Sequence, residues 1–140
     1  MNTSFTVIYL GGPTMIIEIN GLRILTDPTL DPEGTAFPIS ESVTETKLAG
    51  PAVSDIGRID LILLSHDQHW DNLDHAGRKL IASGIPTLTT VVGSQRLGGH
   101  VKGLLPWDQF VFSGSEGESI LITATPARHG RLVRKRLPER

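Results

Sequence analysis

The chain has 140 residues, 39% of them apolar and 20% charged, which is the balance of an ordinary soluble domain with room for a hydrophobic core. It contains no cysteine, which excludes disulfides and thiolate ligands and leaves His, Asp, Glu and Asn to hold any metal. No apolar run approaches the ~20 residues that cross a bilayer, and the N-terminus lacks a basic-then-apolar signal pattern, so a cytoplasmic location is expected.

The formal net charge of −2 conceals an asymmetry. Residues 1–127 carry seven Lys/Arg against fourteen Asp/Glu, whereas residues 128–140 carry six Lys/Arg against Glu139 alone. An acidic body followed by a basic tail is a break in composition.

Phe5–Leu10 is rich in β-branched and aromatic residues and stops at Gly11-Gly12-Pro13, which predicts a strand. Met15–Ile19 and Leu22–Leu25 flank Asn20-Gly21, a pair that favours the type I′ turn of a two-residue hairpin. Pro28 then stops the second strand, because it cannot donate to a ladder and restricts the residue before it. Residues 27–58 have weak periodicity and four prolines, and are expected to be irregular, either a flap over a site or plain surface.

Ile59–Leu64 is apolar on both faces, the pattern of a central strand covered on two sides. The loop at its C-terminal end, Ser65–Asp74, gathers His66 and His69 with the carboxylates of Asp67, Asp71 and Asp74. Ends of strands are the usual place for sites in layered α/β folds. Asn72 or Asp74 can cap a helix over 75–83, with Gly84 as its C-terminal stop. Residues 87–92 read as the next strand and 93–99 as a short helix or turn, without the glycine spacing of a phosphate loop. Val101–Trp107 and Phe110–Phe112 read as short extended pieces. A strand over Ile120–Thr125, broken by Pro126, delivers His129 at its end.

Two strands thus end in histidine-bearing loops. Three neutral imidazoles are the ligand set of an open zinc site, with a further position left for water. Asp67, Asp71 and Asp74 could hold a second ion, orient a histidine or serve as general base. Asp27 is expected to brace the loop through hydrogen bonds, His75 and His100 to lie on the surface, and Trp70 to line a pocket or stand exposed.

The Ser65–Asp74 loop and Thr125–Gly130, supported by Gly11–Thr14, Thr26-Asp27-Pro28 and Arg96–Gly99, resemble the metallo-β-lactamase-fold hydrolases. The branch is the one similar to ascorbate-phosphate lactonase and the N-acyl-phosphatidylethanolamine-hydrolysing phospholipases. The resemblance implies an α/β (α+β) fold, an αββα sandwich with a mixed β-sheet and flanking helices, of which residues 1–130 supply the first half. It sets His66, His69 and His129 as first-site metal ligands, with Asp71, and Asn72 beside it, as what remains of a second. Two features depart from the family's HxHxDH motif: Gln68 is an extra residue between the first two histidines, and Asn72 stands where the last histidine belongs. The family's second half is expected to be missing, and residues 131–140 are expected to be a basic tail at a truncated or frame-shifted end.

What the resemblance implies about function is a zinc-dependent hydrolase, with manganese or iron as other metals, acting on a small-molecule ester, lactone or phosphoester. Asp71 would orient or deprotonate water. Two other classes stand beside it: a non-catalytic half-domain, implied by half of such a sandwich, that holds at most one metal and pairs as a homodimer through an uncovered sheet face, and a nucleic-acid binder working through the basic tail.

Overall fold

A computed structural model of the chain describes residues 5–129. The expected basic tail, its truncation and its contact with nucleic acid lie outside the described residues.

The N-terminal half opens as an antiparallel meander of β1 (Phe5–Gly11), β2 (Thr14–Ile19) and β3 (Leu22–Thr26). Asn20 and Gly21 have φ of 50° and 79°, the two positive values that a type I′ turn requires. The segment expected to be irregular contains a second hairpin, β4 (Ala36–Ser40) and β5 (Val43–Thr46), followed by a 3-10 turn at Val53–Asp55. Pro38 masks this hairpin in the sequence. It is tolerated because the two strands form a sheet of their own, in which each is an edge.

β6 (Leu61–Leu63) runs parallel to β3 on one side and to β7 (Thr87–Thr90) on the other, and β8 (Lys102–Leu104) extends the parallel part. The result is a mixed six-stranded sheet in the order β1-β2-β3-β6-β7-β8, with β6 inside it as expected. α1 (His75–Ala82) follows the histidine loop, and of its two candidate caps Asp74 is the one used, accepting from the Gly77 amide at 2.9 Å. The strand expected over 87–92 ends at Thr90. The Thr90 hydroxyl accepts from the Gly93 amide at 3.0 Å and starts α2 (Val91–Leu97), so capping outweighs the strand preference of Val91 and Val92. β9 (Gln109–Ser113) and β10 (Ser119–Thr123) form a third, two-stranded sheet. β10 stops at Thr123, short of the expected Thr125, because Ala124 turns to pair with the backbone of Trp107 and Asp108.

Successive strand residues face opposite sides, so the apolar run of β6 feeds two cores. Ile62 and Leu64 join Ile16, Leu25, Leu73 and Ile81 on the α1 side. Leu61 joins Ile24 and Leu88 on the other, where Phe110, Phe112, Ile120 and Ile122 of the β9–β10 hairpin pack. This face of the six-stranded sheet therefore carries the hairpin. Its outer face holds the cross-strand pair Val111 and Leu121, 61% and 59% exposed. Among the described residues no helix is long and apolar enough to cross a membrane.

Gly77 shows how closely α1 is seated. A Cβ at this position would lie 2.1 Å from the Pro28 carbonyl oxygen and 3.1 Å from a Leu73 methyl. Alanine is the better helix former by about 1 kcal/mol, yet overpacking of this kind costs ~1–3 kcal/mol or more. Gly77→Ala is therefore expected to destabilise the fold despite its propensity gain. Urea denaturation followed by circular dichroism checks the sign, and a variant more stable than wild type would contradict the close approach.

Candidate metal centre

The loop after β6 is fixed at three points before its histidines meet anything. Asp27, at the end of β3, is buried and has a φ of 35°, an uncommon conformation for a residue with a side chain. Its amide donates to the Leu63 carbonyl at 3.0 Å, and its Oδ1 accepts from the Ser65 amide at 2.6 Å. Asp67 turns inward to Arg96 of α2, whose Nε donates to Oδ2 at 2.8 Å while a second guanidinium nitrogen bonds Oδ1. This pair holds the Asp67 carboxyl below the ordinary carboxylate range, through the hydrogen bond from Arg96 acting against burial. Asp74 closes the loop as the cap of α1.

Between these anchors the extra residue is accommodated. Gln68 is exposed, Asp67 is buried, and the chain then turns so that the His69 carbonyl accepts from the amides of Asn72 (3.1 Å) and Leu73 (3.0 Å). The turn brings His69 back beside His66, with His66 Nε2 3.4 Å from His69 Nδ1. His129, beyond β10, places its Nε2 3.2 Å from the same atom. The three rings stand nearly perpendicular to one another, with interplanar angles of 87°, 78° and 84°, and their nitrogens all lie within 4.8 Å.

The donor set fits one cation. A nitrogen of a neutral imidazole carries either a hydrogen or a lone pair, so His69 Nδ1 cannot satisfy two facing nitrogens at once. A central ion satisfies all three. In a tetrahedral shell with metal–nitrogen bonds of ~2.0–2.1 Å, neighbouring nitrogens stand ~3.3–3.4 Å apart, close to the separations from His69. Burial lowers the His66 pKa, and the neighbouring His129 and His69 lower it further, which favours the neutral, lone-pair-bearing ring. Ser65 Oγ lies 2.9 Å from His66 Nδ1 and can accept its hydrogen, directing the Nε2 lone pair toward the cluster.

The structure thus brings together His66, His69 and His129. Asp71 does not join them; it is exposed and lines a cavity beside His69. Asn72 uses its side-chain amide to donate to Asp27 Oδ2 and Ser65 Oγ, both at 3.3 Å, which places it behind His66 as a brace. Asp67 and Asp74 are engaged with Arg96 and Lys47. Asp27 braces the loop as expected. His100 is exposed, with Nε2 2.8 Å from the Ile85 carbonyl oxygen. His75 is largely exposed too, yet its Nδ1 lies 2.8 Å from Asp31 Oδ2 and its ring stacks on Phe37. Trp70 lines the cavity.

Sequence reasoning missed Arg96, Lys47, Glu45 and Phe37. Lys47 is the only basic residue between Asp27 and Gly57, a signal that a buried carboxylate needed a partner. Arg96 stood in a supporting motif without a role. Phe37 and Glu45 belong to the unrecognised hairpin.

No family model matches the chain. An uncharacterized protein of Mycobacterium tuberculosis and one of Mycobacterium bovis are each 28% identical to it over 138 residues, covering 88% of this chain and 33% of theirs. The chain spans about a third of the length of the curated relatives it matches. Among solved structures, an isothiocyanate hydrolase from Delia radicum gut bacteria superposes with a TM-score of 0.62 at 17% identity, over 76% of this chain and 44% of that one. A possible metal-dependent hydrolase from Veillonella parvula gives 0.57 at 11%, over 91% and 65% of the two chains. A metallo hydrolase from the archaeon Ignicoccus hospitalis gives 0.52 at 16%, over 87% and 57%. These likenesses show the fold. Among the described residues, a mixed β-sheet with two α-helices matches part of these metallo-hydrolase structures.

Asp31 supports the far end of the loop by accepting from the amides of His75 (3.1 Å) and Ala76 (2.8 Å) and bonding the His75 ring. Burial alone would raise its pKa. The hydrogen bonds from His75 and Ala76, with the His75 charge, outweigh burial and lower it. A depressed carboxyl contributes stability above its unfolded value of ~3.9, and that contribution is lost as pH falls through the folded value. Asp31→Asn should therefore be less stable than wild type at pH 6 and lose less stability on acidification to pH 3. Urea midpoints across that range check this, and parallel profiles for the two proteins would contradict it.

Proposed function

We propose that the chain provides the metal-holding part of a zinc-dependent hydrolase, with His66, His69 and His129 as ligands of one ion. The observation that carries this is the convergence of three imidazole nitrogens from two strand ends, on a fold shared with part of metallo-hydrolase structures. The all-imidazole donor set suits zinc, with iron or manganese as competitors. A zinc ion there supplies Lewis acidity and activates water near neutral pH, which is the chemistry of ester, lactone or phosphoester hydrolysis.

The chain's own residues do the rest. Ser65 and Asn72 orient His66, linking it to the buried Asp27. Asp67, held by Arg96, sets the path of the loop between the two histidines. Asp71, exposed on the cavity wall beside His69, would in this reading accept the proton released when water attacks a carbonyl or phosphoryl centre.

Purified wild-type protein is expected to carry close to one equivalent of zinc by inductively coupled plasma mass spectrometry, and His66→Ala and His129→Ala far less. Wild type without zinc, iron or manganese above background would end this reading. Asn72→Ala should keep the fold and weaken zinc binding ~10–100-fold, the usual cost of losing an outer partner, in a competition titration against a chromophoric chelator. Unchanged affinity would show that Asn72 does not orient His66.

A further inference from the structure

The β4–β5 hairpin forms one side of a cavity of about 590 Å³, and Gln68–Asp71 of the histidine loop forms another. The hairpin is locked onto the loop by a three-ring stack. Phe37, 5% exposed, lies parallel to Trp70 with centroids 4.2 Å apart and parallel to His75 at 5.4 Å. Both outer rings are hydrogen-bonded, Trp70 Nε1 to Glu45 Oε2 at 2.7 Å and His75 to Asp31. The stack makes the cavity a formed feature of the fold.

Its lining has a definite chemical character. Pro38, Ile39 and Trp70 supply apolar surface, with Ile39 53% exposed beside the opening. Glu45 and Asp71 supply two carboxylates, and no Lys or Arg is among the described lining residues. A phosphate-bearing or carboxylate-bearing molecule would meet like charges there, offset among the described lining residues only by the imidazoles of His69 and His75, the latter already paired with Asp31. An uncharged molecule with an apolar or aromatic group avoids that repulsion and can pack against Pro38, Ile39 and Trp70.

We infer that this cavity is the substrate site and that it takes an uncharged ester or lactone bearing an apolar or aromatic group, in preference to phosphoesters and other anions. The inference rests on the reading of the histidine cluster as a hydrolytic metal centre, of which His69 borders both. Glu45 is the specificity-determining residue. It repels anions, and by holding Trp70 it shapes the apolar wall.

The test uses metal-free protein, so that attraction of an anion to a bound ion does not enter. The chain has two tryptophans, and Trp107→Phe leaves Trp70 as the sole indole reporter. Phenylacetamide and phenylacetate, nearly the same shape and differing in charge, are titrated against Trp70 fluorescence. Phenylacetamide is expected to bind saturably, with phenylacetate weaker by about tenfold or more. Glu45→Gln, whose amide oxygen can still accept from Trp70, should narrow that gap several-fold. Equal or tighter binding of phenylacetate, no saturable phenylacetamide binding, or a gap unchanged in both Glu45→Gln and Asp71→Asn would overturn the inference. Zinc uptake by the same variants, titrated into the metal-free protein after the binding measurements, keeps the two readings apart. Charge discrimination without zinc binding rejects the hydrolase and leaves the cavity, and zinc binding without discrimination does the reverse.

Discussion

The buried ion pair between Lys47 and Asp74 is the point at which the loop, the flap hairpin and helix α1 are tied together. Their side chains are 5% and 0% exposed, with Nζ and Oδ2 3.2 Å apart. Removing two charges from water costs several kcal/mol per ion, and such a pair is tolerated only where the remaining donors and acceptors are also satisfied. Here they are. Asp74 accepts from the amides of Gly77 and Asp31, and Lys47 also donates to the Thr29 carbonyl at 2.8 Å. The backbone of Lys47 closes the base of the β4–β5 hairpin through hydrogen bonds with Gly34 and Thr35. One interaction therefore fixes the start of α1, the strap at 29–31 and the root of the flap.

That node explains why three histidines from a polar loop and a distant strand end can converge. A loop rich in Asp and His has little apolar surface to bury, so packing alone cannot set its path. Carboxylates do it instead. Asp27 holds the first residue of the loop, Asp67 and Arg96 hold its middle, and Asp74 and Lys47 hold its end. None of these three carboxylates belongs to the histidine cluster, and each points at the protein. His129 arrives independently, carried by β10, whose Ile120 and Ile122 are seated against Ile24, Leu61 and Leu88.

What was legible in the sequence was local. The Asn20-Gly21 hairpin, the doubly apolar β6, the capped α1 and the three histidines at strand ends are each specified by neighbours within a few residues. What was not legible depends on partners far along the chain. Lys47 meets Asp74 and Arg96 meets Asp67 across 27 and 29 residues, and no periodic pattern announces such pairs. The β4–β5 hairpin was hidden by Pro38 and by strands too short and too exposed to alternate clearly. Val91 and Val92 misled because β-branched residues favour strands, and one hydroxyl cap reversed that preference. Asn72 was read by its position in a motif as a ligand, and its neighbours Asp27 and Ser65 make it a brace.

The distribution of charge around the cluster follows from the same division of labour. Three neutral imidazoles would leave both positive charges of a divalent ion uncompensated within the inner shell. The buried carboxylates cannot move to compensate them, because each already holds a stretch of backbone or a basic side chain. Beside the loop, the carboxylates that line the cavity are Asp71 and Glu45, the latter on a flap whose approach no local pattern announces. Glu45 is kept there by Trp70, and Trp70 by Phe37, so aromatic stacking rather than direct ion pairing positions the outer negative charge. A centre built this way keeps its ligand geometry independent of its outer electrostatics. Replacing the Glu45 carboxylate, which bonds Trp70 and none of the three anchors, then alters the charge beside the loop while Asp27, Asp67 and Asp74 keep their partners.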